Sequence, residues 1–252
     1  MDPVWTVENL YRNLVAGDLG PVIGGFCDNA TVDSPLGGKQ LPQEWIAETR
    51  AWLARHEAGT ESVNTVHADD RVAHEFVLHV TIDGARRDVP VMLIADIEDD
   101  AIRDLRVYHS TWPLTGSHSV RGPVMDYALG DRPAEPVGSY HEALAAADAA
   151  AADAAFEPGG SVREPAGSEY THGGKDRTAW YETILADGPL PLRLGTITDD
   201  GETVVYEYLV DHWGSADLPK QAGAAAYTRG ESGRLVSARV YDDVDPPVAV
   251  TT

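Results

Sequence analysis

The residues of this chain that could do chemistry are those that move protons. No glycine-rich phosphate loop is present, and no Gly-x-Ser-x-Gly turn. Cys27 is the single cysteine, so no internal disulfide can form. His74 and His79 are five positions apart, which on a strand puts them on opposite faces, and His67 has no partner at ligand spacing. A metal site is therefore not expected, nor is a cofactor. What remains is general acid–base chemistry. Glu164, Asp242, His109 and His212 can accept and return a proton. The hydroxyls of Ser34, Tyr11, Tyr206, Tyr208 and Tyr227 can donate to a ligand oxygen.

The bulk of the sequence narrows the partners. Asp and Glu number 41 against 19 Lys and Arg, a net charge of −22 in 252 residues. Phosphate is held by clustered cations, and no basic run exists, so nucleic acid and anionic membrane surfaces are excluded as expected partners. No apolar run approaches the roughly 18 residues that a spanning helix needs. The N-terminus lacks a basic-then-apolar leader pattern. A cytoplasmic protein is expected.

The elements that must position these groups occur twice. Shifted by 130 positions, residues 7–35 fall on residues 137–165 with seven identities in 29 positions, among them Val7 on Val137, Asp18 on Asp148, Phe26 on Phe156 and Pro35 on Pro165. Later the offset is 133, where Arg106-Val107-Tyr108 returns as Arg239-Val240-Tyr241. So long a period is a duplicated domain rather than a solenoid. The expected boundaries are 1–120 and 138–252, joined by a proline- and glycine-bearing linker at 121–137.

Each copy reads as helices first and strands afterwards, an α+β pattern. Asp2-Pro3 starts a helix carrying Val7, Leu10, Tyr11 and Leu14, which should stop near Gly17. In the second copy Ser139 and Glu142 form a Ser-x-x-Glu capping box before the alanine-rich stretch to Ala155. A third helix is expected over 42–55 and again over 176–186. Strands follow from Val72 to Thr81, Val89 to Ile97 and Ile102 to Thr111, with a hairpin turn at Asp83-Gly84. The second copy repeats them from Thr203 to Trp213, Gln221 to Thr228 and Arg234 to Asp242.

The run Phe26-Cys27-Asp28-Asn29-Ala30-Thr31-Val32-Asp33-Ser34-Pro35, after a helix ending in Gly17-Asp18, resembles the ketosteroid isomerase branch of the NTF2-like (SnoaL-like) superfamily. Phe76 to Gly84 and Ile102 to Tyr108 resemble that family's later strands. The resemblance implies two tandem cone-shaped domains, each a curved antiparallel sheet wrapped on helices around an apolar pocket. It also implies an internal pseudo-dimer, so that the chain itself would be a monomer. The isomerases keep a catalytic aspartate just before the motif's proline; here Ser34 and Glu164 hold that position. Their second, protonated aspartate falls on Met92 and Ala225. Tyr11 lies near their oxyanion-hole tyrosine, with Tyr140 the nearest candidate in the second copy. The steroid isomerase mechanism is therefore not transferable intact.

Given the resemblance, strand parity assigns the faces. Phe76, Leu78, Val80, Pro90, Met92, Ile94, Leu105, Val107 and His109 should line the first pocket, with Ser34 beside them. Tyr206, Tyr208, Val210, His212, Ala225, Tyr227, Ala238, Val240 and Asp242 should line the second, whose alanines leave room for a ligand. The second copy is then the better equipped for chemistry, with Glu164 as general base, Asp242 as a second carboxylate, and a tyrosine as carbonyl donor. The expected activity is cyclisation, isomerisation or dehydration of a small apolar, polyketide-like molecule. Epoxide opening by Glu164 with Asp242 is an alternative, and non-catalytic binding of a small molecule, or scaffolding, is another.

Overall fold

The computed structural model describes residues 2–68, 70–127, 132–172 and 175–244. The chain forms two compact units, Met1–Ser119 and Val120–Thr252. In the first, α1 (Pro3–Ala16) is started by Asp2, whose side chain accepts from Val4 N at 3.0 Å. Pro3 presets the first turn, and Gly17, at φ 76°, ends the helix in the left-handed region. Val7, Leu10, Tyr11 and Leu14 share its buried face. Then come α2 (Leu19–Ile23), β1 (Phe26–Ser34), β2 (Gly38–Gln40), α3 (Pro42–Arg55), β3 (Gly59–Ala68), β4 (Arg71–Ile82), β5 (Ala85–Glu98), β6 (Ala101–Tyr108) and α4 (Trp112–Thr115).

The six strands form one sheet in the order β2-β1-β6-β5-β4-β3. It is mixed rather than antiparallel throughout, because β1 runs parallel to β6. The chain leaves β1 through β2 and α3 and crosses to the far edge before β6 returns beside it. The strand β3 has no counterpart among the expected elements. Its sequence, Gly-Thr-Glu-Ser-Val-Asn-Thr-Val-His-Ala, is mostly polar because it is an edge strand with largely solvated side chains. The turn Asp83-Gly84 has φ of 51° and 75°, the two positive values of a type I′ hairpin. It sets the register that opposes Ile82 to Ala85 and Phe76 to Val91.

The second unit repeats the plan with α5 (Val137–Ala145), α6 (Ala149–Ala154), β7 (Phe156–Arg163), β8 (Glu169–Thr171), α7 (Arg177–Ile184), β9 (Leu192–Asp199), β10 (Thr203–Val210), β11 (Gln221–Arg229) and β12 (Leu235–Asp242). Its sheet order, β8-β7-β12-β11-β10-β9, matches the first strand for strand. The alanine-rich stretch is two helices. Ala147, the counterpart of Gly17, takes φ 54°, and Asp148 caps α6 by accepting from Ala151 N at 2.9 Å. The Ser139–Glu142 capping box does not form. Ser139 donates from N and Oγ to Glu135, while Glu142 pairs with Arg132. Arg177 is wholly buried; its Nε donates to Asp153 at 2.6 Å and its guanidinium lies 4.4 Å from the Phe156 ring centre. That contact ties α7 to α6 and β7. Among the described residues no helix is long and apolar enough to cross a membrane.

Candidate functional site

The first unit holds a partly open cavity of about 250 Å³ between α1, α3 and the inward face of its sheet. Trp45, Trp52 and Leu53 of α3 form one wall; Leu78, Val89 and Val107 of β4, β5 and β6 form the other. Polar groups enter at a few points. Tyr11 projects from α1, its ring against Phe76 at 4.9 Å and edge-on to Trp45 at 5.9 Å. Burial pushes its phenol pKa well up, so it is a neutral donor at any ordinary pH. Its hydroxyl has no hydrogen-bond partner among the described residues. Ser34, at the end of β1, accepts from Gly37 N at 3.2 Å. His109 follows β6 and donates from Nδ1 to Ser110 O at 3.0 Å when that nitrogen carries the proton. Gln40 and Glu48 lie alongside, with Gln40 Nε2 donating to Glu48 Oε2 at 2.7 Å.

Two expected lining residues behave differently. Phe76 faces this side but is spent on packing against Tyr11. Met92, with Pro90 and Ile94, is on the opposite face of the sheet. Directly opposed residues of an antiparallel pair share a face, and Phe76 opposes Val91 while Leu78 opposes Val89. Val89, Val91, Leu93 and Ala95 therefore face inward and join the core. Met92 opposes Glu75 and is buried on the other side.

Among the described residues, the same region of the second unit carries buried aromatic rings. The Arg-Val-Tyr repeat equates Val107 with Val240, and the ladders then equate Tyr206 with His74, Tyr208 with Phe76, Tyr227 with Ala95 and Asp242 with His109. Tyr206, Tyr208 and Tyr227 do face inward, and all three are buried. Tyr206 pairs across the ladder with Ala225, and Tyr227 with Ala238. Tyr140 meets Phe156, Tyr181 and Tyr227 at centroid distances of 5.5, 6.0 and 5.7 Å. Gly223 stands where the first unit has Val91. A Cβ there would fall 2.7 Å from the Tyr208 ring and 2.8 Å from Asp242 Cβ, so only glycine lets that ring in.

The phenols of this interior are committed to one another. Tyr208 donates to Asp242 at 2.6 Å, Tyr181 to Tyr140 at 3.0 Å, and Tyr227 shares a hydrogen with His141 Nε2 at 2.9 Å. Burial first, and then the Asp242 charge, holds the Tyr208 phenol far above its usual range. His141 is a residue that sequence reasoning missed, although the 130-residue shift places it on Tyr11. Burial lowers its pKa to about 3, so the ring is neutral.

His212 does not point inward. The strand β10 ends at Val210, His212 is exposed, and Trp213 turns in instead, donating Nε1 to Ile184 O at 2.7 Å. Glu164 lies just beyond β7 and is 8% exposed. Its Oε1 is buried without a hydrogen-bond partner. Beside it Tyr170 stacks on Trp180 at 5.0 Å; burial, and then the Glu164 charge, raises the Tyr170 pKa.

No protein-family profile and no curated protein matches this sequence. Solved structures do match, each over less than half of the chain. An NTF2-like protein of unknown function from Burkholderia pseudomallei is 18% identical over 45% of this chain and 95% of its own, with a TM-score of 0.41. A protein from Catenulispora acidiphila with a ketosteroid isomerase-like fold, solved with trimethylamine, is 16% identical over 44% and 89%, with a TM-score of 0.39. IdmH of Streptomyces antibioticus, a provisionally named polyketide cyclase, is 17% identical over 42% and 91%, with a TM-score of 0.39.

Proposed function

We propose that the first unit binds a small, mainly apolar molecule in its cavity and that the second unit has given up this role for a core of packed, hydrogen-bonded rings. The cavity of about 250 Å³, walled by Trp45, Trp52, Leu78, Val89 and Val107, carries the reading. An apolar cavity of about 150 Å³ already admits benzene, so a fused bicyclic ring is a reasonable guest. Tyr11 and Ser34 can orient it through an oxygen. Naphthalene should quench tryptophan fluorescence saturably with one equivalent bound. Leu78→Trp, which fills the cavity, should weaken binding by about 100-fold or more, close to 2.7 kcal/mol. Saturable binding left intact in that variant would refute the site.

A second reading keeps proton-transfer chemistry in the second unit, with Glu164 as base for a cyclisation, isomerisation or dehydration. One observation favours it: the buried Glu164 Oε1 has no hydrogen-bond partner. The epoxide-opening variant has less support, because its second carboxylate, Asp242, accepts from Tyr208. Under this reading Glu164→Gln lowers kcat by roughly 10²–10⁴ while Leu78→Trp leaves it alone. The reverse pattern would place turnover in the first unit.

A further inference from the structure

Beside the cavity of the first unit lies a buried hydrogen-bond acceptor that has no partner among the described residues. Gln40, the last residue of β2, lines the cavity, and its amide Oε1 is buried without a hydrogen-bond partner. The orientation of that amide is decided by its other end. Nε2 lies 2.7 Å from Glu48 Oε2, and a carboxylate can only accept, so the amide nitrogen must face Glu48 and the oxygen must face away from it. The oxygen sits over the β1–β2 turn. A Cβ on Gly37 would lie 2.3 Å from Gln40 Oε1 and 3.1 Å from Ser34 Oγ, so glycine there gives the amide its place beside the polar end of the pocket. The Tyr11 and Ser34 hydroxyls of this region can donate to a ligand, and the Glu48 carboxylate beside them accepts from the Gln40 amide. A buried acceptor left unmatched costs free energy that a ligand donor recovers.

We propose that Gln40 is the specificity-determining residue of this pocket and that it selects apolar ring compounds bearing a hydroxyl or N–H donor over hydrocarbons of the same shape. Glu48 is the positioning residue: it fixes the amide so that oxygen rather than nitrogen meets the ligand. The inference rests on the pocket reading above.

The test compares 2-naphthol with 2-methylnaphthalene, which have nearly the same shape, with naphthalene as a probe of the cavity alone. The readout is the ratio of the first two affinities by calorimetry. Gln40→Leu, and Gln40→Met as a second variant of similar length, should reduce that ratio on the order of tenfold, with naphthalene affinity measured alongside as the control for the cavity. Glu48→Ala releases the amide to turn over and should lower 2-naphthol affinity more than that of 2-methylnaphthalene or naphthalene; a purely structural role would weaken all three probes together. An unchanged ratio in either Gln40 variant that still binds naphthalene would overturn the proposal and leave the pocket reading standing. Failure of the unaltered protein to bind naphthalene would remove the pocket reading, and this inference with it.

Discussion

Two units share one topology and differ in what occupies the middle. In the first, the sheet presents Leu78, Val89 and Val107 to open space. In the second, Tyr208 reaches Asp242 through the gap that Gly223 leaves, and Tyr227 reaches His141. The difference turns on a few exchanges, with His141 for Tyr11, Tyr208 for Phe76, Gly223 for Val91 and Asp242 for His109. Polar residues in such an interior therefore need not mean chemistry. Where each hydroxyl finds a partner inside the protein, the polar set becomes a core. Where the lining is apolar and carries few hydroxyls, the interior is the better ligand site.

The comparison can be broken most forcefully at Tyr227. Tyr227→Ala should cost about 3–5 kcal/mol in denaturant unfolding, because a large buried ring leaves a cavity that its neighbours only partly fill. A loss below about 1 kcal/mol would mean that the interior is not filled as described. Next comes Tyr208→Phe, which removes a buried hydrogen bond to a carboxylate and should cost about 1.5–3 kcal/mol.

His141 sharpens the contrast through pH. The imidazole of the unfolded chain takes up a proton below its ordinary pKa of 6.5, whereas the folded ring resists protonation down to about 3. Stability is intact above 6.5 and falls as pH drops through that window, by about 2 kcal/mol between pH 8 and pH 5. His141→Gln should remove this part of the slope; an unaltered slope would show that the ring is not held neutral. The smallest effect belongs to Tyr11→Phe. Its hydroxyl has no hydrogen-bond partner among the described residues, so stability should change by no more than about 0.5 kcal/mol, against the larger loss for Tyr208→Phe.

Much of the architecture was legible in the sequence. The 130-residue repeat marks the duplication, Asp2-Pro3 and Gly17 bound α1, and the period-2 pattern of Val72 to Val80 and of Val204 to Val210 identifies the inward faces. Met92 was misplaced although the signal was present. A two-residue turn at Asp83-Gly84 opposes even positions of β4 to odd positions of β5, which puts Val89 and Val91 inward. His212 was misplaced because parity was carried past the end of β10, where the burial of Trp213 takes over. The strands β3 and β9 escaped notice because edge strands need no apolar alternation. The closed interior was hidden for a different reason. Alanine and glycine at Ala225, Ala238 and Gly223 signal space, but only the three-dimensional register shows that the rings of Tyr206, Tyr208 and Tyr227 fill it.

The central claim, one open interior and one closed, is tested most directly by following naphthalene into the protein by NMR. Spectra of labelled valine and leucine methyls, tryptophan indoles and tyrosine rings report both units at once. Saturable shifts should concentrate on Trp45, Trp52, Leu78, Val89, Val107 and Tyr11, with Tyr206, Tyr208 and Tyr227 unmoved. Shifts centred on the second unit's tyrosines, with the first unit silent, would contradict the account.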